Sequence, residues 1–303
     1  MSNNYPNLFD INFYRSNNYD LSSFSTNALL DHYFFHGLFE GRPGNKILNR
    51  NNFTSLIDLD LPTLEIGPFA NPLVKGKNVK YFDILDSDSL KERAKQHHIS
   101  TANIPNEIHF VGSNIDCIKH SFSNVVSSHV IEHQPDFLGH LNSIENLLCD
   151  NGIYFICIPD KRFCFDHNFS ASTIADILTA HYEKRKIHTL KSVIEHRCLT
   201  THNDPSLYWK ERGRVWPSDK LSIDSLQDAL KEYEMSLGSY IDVHAFFFTP
   251  SSFYKILKLL FEINLTKLKV KRIYPTRTWN NEFWVILKKG DVLDPDPNLW
   301  RLE

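Results

Sequence analysis

The 303-residue sequence has no apolar run of about 18 residues, so no membrane span is expected. Its first ten residues, MSNNYPNLFD, have neither a basic nor an apolar stretch and do not read as a secretion signal. Lysine and arginine form no stripe. The 33 basic side chains are balanced by 36 acidic ones, and a formal charge of −3 argues against general nucleic-acid binding. Cysteine is sparse and unpatterned. Cys117, Cys149, Cys157, Cys164 and Cys198 make an odd number with no C-x-x-C pair, which speaks for reduced thiols in the cytoplasm rather than a disulfide frame or zinc knot. The G-x-G-x-x-G spacing of dinucleotide-binding turns is missing too.

What is present is ample core material, 42% hydrophobic and 13% aromatic, enough for one or two domains. Residues 1–50 read as a helical piece whose second apolar stretch stops at Gly41, Arg42, Pro43 and Gly44. The segments FDINFY and ALLDHYFFHGLFEGR resemble a short helical module attached to many bacterial surface-polysaccharide enzymes, often glycosyltransferases. That resemblance covers about residues 9–44 and implies a setting in glycan assembly. An N-terminal helical cap packed on the main domain is the alternative.

After the polar linker NRNNFTS, short apolar runs at Thr63–Ile66, Val79–Phe82, Ile108–Val111, Val125–Ser128 and Ile153–Ile158 alternate with helical stretches. This rhythm predicts an α/β domain over 51–303: a Rossmann-like, mainly parallel sheet with helices on both faces. Asn151-Gly152 is expected to end a helix before the fifth strand. Residues 162–240 break the rhythm, being rich in His, Trp, Tyr and charge, and are expected to form a helical cap over the sheet's ligand edge. HAFFFTPSSFYKILKLLFEI then predicts a strand followed by a helix, and the last apolar runs predict a hairpin.

The stretch LEIGPFANPLVKGKNVKYFDILD supplies one glycine after the first strand, an acidic residue before it and an aspartate at the end of the second strand. In an open parallel sheet, ligands sit beyond the strands' carboxyl ends. Gly67 lets backbone come close, and Asp83 can accept both hydroxyls of a ribose. One glycine without a phosphate cradle suits an adenosine ligand lacking pyrophosphate, such as S-adenosylmethionine.

Those residues, with VKYFDIL, VVSSHVIEHQPDFLGHLNSIENLL and DNGIYFICIPDKRFCFD, resemble class I S-adenosylmethionine-dependent methyltransferases, most of all a bacterial branch found among polysaccharide-biosynthesis proteins. The resemblance covers about residues 60–290. It implies that Glu65, Ile66, Gly67 and Pro68 border the methionine moiety and that Asp83 holds the ribose. It places Ser113, Asn114 and Ile115 beside adenine, and Ser128 and His129 beside the sulfonium. Two departures stand out: Pro68-Phe69-Ala70 replaces a further glycine, and Asn124 stands where an aspartate often precedes the fourth strand. The implied reaction is O-methylation of a sugar hydroxyl on a nucleotide sugar or surface-polysaccharide intermediate. The partners are a small-molecule or glycan acceptor, with a second copy of the chain or glycan-assembly proteins also admitted.

Such a hydroxyl is helped by a general base, and histidine suits that work near neutral pH. The candidates are His129, His167, His181, His196 and His244, with Asp160 or Asp166 as helper. Lys161 and Arg162 could meet a phosphate or carboxylate on the acceptor, and His133 and His196 are further acceptor contacts. Trp209 and Trp216 could stack on a sugar face or serve as packing. His129 to His133 matches H-x-x-E-H, but at a strand end rather than inside a helix, which disfavours a zinc protease. Some methyltransferases acting on vicinal diols use a divalent ion. Imidazole and carboxylate here could hold one, although no metal is the favoured expectation. Two other readings stay open. One is transfer to a phosphate-bearing or lipid-linked acceptor. The other is a non-catalytic binding module serving glycan assembly.

Overall fold

The computed structural model describes residues 5–302. Its helices are α1 (Ile11–Asn17), α2 (Thr26–His32), α3 (Leu38–Glu40), α4 (Arg50–Thr54), α5 (Ser87–Gln96), α6 (Phe137–Leu147), α7 (Ile174–Tyr182), α8 (Leu190–Ile194), α9 (Pro205–Lys210), α10 (Ile223–Met235) and α11 (Pro250–Glu262). The strands are β1 (Thr63–Ile66), β2 (Val79–Asp83), β3 (Phe110–Val111), β4 (Phe122–Ser128), β5 (Leu148–Pro159), β6 (Leu268–Tyr274) and β7 (Glu282–Lys289). They form one seven-stranded sheet in the order β3-β2-β1-β4-β5-β7-β6. The first five strands pair in parallel, and β7 runs antiparallel to both β5 and β6. This is the mainly parallel α/β sheet that the alternation predicts. Strand order reverses between β1 and β4, which opens a crevice at their carboxyl ends.

Successive strand residues point to opposite faces. Val125, Ile156 and Val285 pack with α6 and α11 on one face, while Val126, Phe155 and Ile286 pack with Phe53 of α4 on the other. Helix starts are capped by the chain's own polar residues. Thr249 forms a capping box with Ser252 just before Pro250, and Asp136 accepts the Gly139 N–H at the start of α6. Asn124 lies inside β4 rather than before it, and its Nδ2 donates to Asp58 O and Thr63 Oγ1.

The N-terminal helices share the main core. Leu8, Phe9, Tyr14, Leu29 and Tyr33 belong to the same cluster as Ile273 and Val285. Arg277 donates to Ile47 O and Asn45 Oδ1, and Arg272 donates to Tyr5 O and Pro6 O. Gly41, at φ +75°, closes α3 as the expected stop.

Two local expectations are corrected. The helix before the fifth strand ends at Leu147, and Asn151, at φ +62°, lies inside the long strand β5. No strand forms over His244–Phe248 apart from an isolated bridge between Asp160 and Phe248. The Ala245 and Phe246 N–H groups donate instead to the carbonyl of Glu132. Residues 162–240 do carry the four helices α7 to α10. Among the described residues, no helix is long and apolar enough to cross a membrane, and all five cysteines are free.

Candidate active site

The turn after β1 opens the crevice. Gly67 sits at φ +65°, and its N–H donates to Phe82 O. A Cβ there would stand 2.8 Å from Val130 Cγ2, so both the conformation and the space favour glycine. Phe69 follows at φ +38°. Glu65 is buried, and its two oxygens accept the N–H groups of Leu73 and Val74 at 2.7 and 3.1 Å. Burial pushes its carboxyl up to about 7 against those donors. Glu65 therefore staples the loop that encloses the turn.

Asp83 ends β2 beside that turn. It is 7% exposed, and its Oδ1 accepts the Leu85 N–H at 3.2 Å. Burial raises its pKa, opposed by the N–H groups of Leu85, Ile84 and Phe69. Its carbonyl accepts the N–H of Gly112, whose φ of +149° suits glycine and beside which a Cβ would meet nothing within 4 Å. Open space thus adjoins the ends of β2 and β3. Ser113 and Asn114 are exposed there, Asn114 capping the following turn through Asp116 N. Ile115 is buried in the core.

His129 leaves β4 at φ +53° just after Ser128, with its N–H on Cys157 O. Its Nε2 lies 2.9 Å from Glu282 Oε2. Arg50 Nε and Trp284 Nε1 donate to Glu282 Oε1 at 2.8 and 2.7 Å, and Arg50 also pairs with Oε2. Burial pushes the Glu282 carboxyl up, but His129 and Arg50 outweigh it and hold it down to about 2. Glu282 and Arg50 were not among the sequence candidates. Their partners lie far away in the chain, and the only local signal is an acidic residue opening an apolar strand.

The second half of H-x-x-E-H forms a single 3₁₀ turn, Ile131–His133, so the motif lacks the helical geometry of a zinc protease. Glu132 is fully buried, and neither carboxylate oxygen has a hydrogen-bond partner. His133 Nε2 and His244 Nε2 each lie 3.9 Å from Glu132 Oε1. His244 Nδ1 meets Asp166 Oδ2 at 2.6 Å, and His133 Nδ1 stands 3.1 Å from Asp242 Oδ1, off the line of a straight hydrogen bond. His196 Nδ1 accepts the His244 N–H at 3.4 Å, and burial with nearby His244 lowers its pKa to about 3. His133, His196, His244 and Asp166 are thus brought together. An open cleft of about 660 Å³ beside them is lined in part by Arg93, His196, Tyr240 and Asp242.

Other candidates are occupied elsewhere. Asp160 is fully buried, with Arg162 on both oxygens and Thr276 Oγ1 on Oδ2 at 2.6 Å. Both its oxygens are thus engaged within the protein, and Arg162 is paired with it. Lys161 Nζ donates to His167 O. Both His167 nitrogens face backbone carbonyls, Arg162 O at 2.6 Å and Arg214 O at 3.2 Å. His181 pairs with Asp136 at the start of α6 and does not join the cluster. Trp209 stacks on Phe163 at 4.0 Å, with Arg212 over its ring, so it is packing. Trp216 packs edge-on against His202.

No protein-family model matches the chain, and no curated protein matches it. Solved structures similar to it include a methyltransferase dependent on S-adenosylmethionine from Aquifex aeolicus (10% identity, 80% of this chain and 90% of that one, TM-score 0.35). Another such enzyme, from Mesorhizobium loti, shows 11% identity over 78% of this chain and 95% of that one, with a TM-score of 0.40. A coclaurine N-methyltransferase bound to N-methylheliamine and SAH shows 14% identity and a TM-score of 0.25. In that case the match spans 34% of this chain and only about a third, 32%, of the other.

Proposed function

We propose that the chain is a methyltransferase using S-adenosylmethionine and acting on a hydroxyl group, with a sugar of a nucleotide sugar or polysaccharide intermediate as acceptor. The observation that carries the cofactor reading is Asp83 at the end of β2, adjoining the Gly67 turn and the open space beside Gly112. An acidic side chain at that point suits a ribose diol. Glycines at φ +65° and +149° give the backbone the close approach an adenosyl group needs. Ser113, Asn114 and Ser128 would complete the cradle.

Bound S-adenosylmethionine would supply a methyl group already activated on a sulfonium, so the protein's own work is alignment and proton removal. His129 fits the second task. Glu282 fixes the proton on Nε2, leaving Nδ1 as the accepting nitrogen, and the side chain is one-third exposed at the crevice. As the acceptor oxygen gains the methyl group, its proton would pass to His129 Nδ1. A phosphate-bearing acceptor has less support, because Arg162 and Lys161 are both engaged within the protein. The sugar acceptor and a glycan-assembly setting rest on the sequence resemblance, and a cytoplasmic setting rests on the unpatterned cysteines.

Isothermal titration with S-adenosylmethionine tests the cofactor site. Asp83→Ala should weaken binding at least tenfold, and an unchanged affinity would overturn the assignment. A panel of sugar and phosphate-bearing acceptors with labelled cofactor tests the substrate class.

A further inference from the structure

We infer that Glu132, His133 and His244 form a binding site for one divalent transition-metal ion. The argument starts from Glu132, a carboxylate with no exposure and no hydrogen-bond donor on either oxygen. Burying such a charge unpaired is expensive, and a cation held between it and the two imidazoles would offset that cost. The two imidazole nitrogens nearest to it stand at 3.9 Å, beyond hydrogen-bonding range. Each ring has its other nitrogen against a carboxylate: Asp166 for His244 and Asp242 for His133. Asp166 accepts from His244 Nδ1, and Asp242 stands beside His133 Nδ1. Both Nε2 atoms face Glu132, and one ligand atom from each of the three residues lies within 4.8 Å of the others.

A metal ion resolves that crowding. Ligand distances of about 2.0–2.2 Å span pairs up to about 4 Å apart, as the two Glu–His gaps require. The outer carboxylates match the usual second layer of metal-binding histidines, which fixes ring orientation and raises ligand basicity. Two imidazoles with one carboxylate suit zinc, iron(II) or cobalt(II) better than magnesium or calcium, which prefer all-oxygen sets. Three protein ligands leave at least one position for water or an acceptor oxygen. The backbone makes the site rigid. Glu132 O accepts two N–H groups from the segment following His244, and His133 O accepts His188 Nε2 at 2.8 Å.

The test is titration of the full chain with zinc chloride alone, followed by calorimetry and metal analysis after dialysis. Wild type should retain one equivalent. Glu132→Gln and His244→Ala should abolish binding, while the exposed His120→Ala should keep it. Asp166→Asn leaves all three ligands in place and should weaken binding by roughly 10- to 100-fold. Circular dichroism confirms folding of each variant, and cobalt(II) substitution should give a visible spectrum that Asp166→Asn shifts. Failure of wild type to bind, or equal retention by folded Glu132→Gln, overturns the site. Cofactor affinity measured on the same samples keeps this outcome separate from that of the Asp83 assignment.

Discussion

Arg50 lies 232 positions before Glu282 in the chain, yet its guanidinium grips both oxygens of that carboxylate while His129 takes one of them from β4. A residue from the segment between the N-terminal helices and the sheet thus orients the histidine at the crevice. The Glu282 carboxyl is held at about 2 against an ordinary 4.5. A depressed carboxyl contributes stability above its unfolded value and loses it as pH falls through the folded one. The stability difference between wild type and Glu282→Gln should therefore be constant above about pH 4.5 and shrink toward pH 2. The full effect should be about 3 kcal/mol. Urea unfolding at a series of pH values checks this, and a pH-independent difference would contradict it.

His129→Ala should lower turnover by roughly 10² to 10⁴, the usual contribution of a general base. The cofactor's dissociation constant should stay within a few-fold of wild type. Steady-state kinetics beside calorimetry separates the two effects. A variant as fast as its parent would remove His129 from the mechanism.

Gly67→Ala should cost about 1–2 kcal/mol for a non-glycine residue at positive φ, with a further penalty from the contact with Val130. Thermal melts would read the stability loss. Cofactor titration should show weakened binding, because the turn borders the proposed ligand.

Asp160→Ala should behave as a folding variant. It leaves the half-buried Arg162 guanidinium without its carboxylate. With Arg162 partly in solvent, losing its charged hydrogen bonds should cost about 1.5–3 kcal/mol. Denaturation should show the loss. Cofactor affinity measured on the folded fraction should match wild type, and a specific loss of turnover at full stability would restore Asp160 to the reaction.

The elements whose chemistry is local were legible in the sequence. Thr63–Ile66, Gly67 and Asp83 declare themselves through a short apolar run, a turn residue and an acidic strand end within 21 residues. The missed features depend on distant partners. HAFFF has the composition of a strand, but the Ala245 and Phe246 N–H groups serve the Glu132 carbonyl and its histidine faces Asp166. Arg50 looked like part of a polar linker because Glu282, its partner, lies at the far end of the chain. No periodicity encodes that pairing. The sequence did mark Glu132, His133 and His244 as polar residues of interest, but only the tertiary arrangement turns both imidazoles toward the same carboxylate.

Asp160 and Phe248 form an isolated bridge. The Lys161 N–H donates to Phe248 O at 2.9 Å, so the chain leaving β5 and the chain entering α11 run side by side. Everything between forms a cassette closed at its base. A longer or shorter cassette could be grafted onto the same two stubs without disturbing strand register. If the crevice holds the cofactor as proposed, a change in the length of that cassette would leave the Asp83 end of the sheet in place.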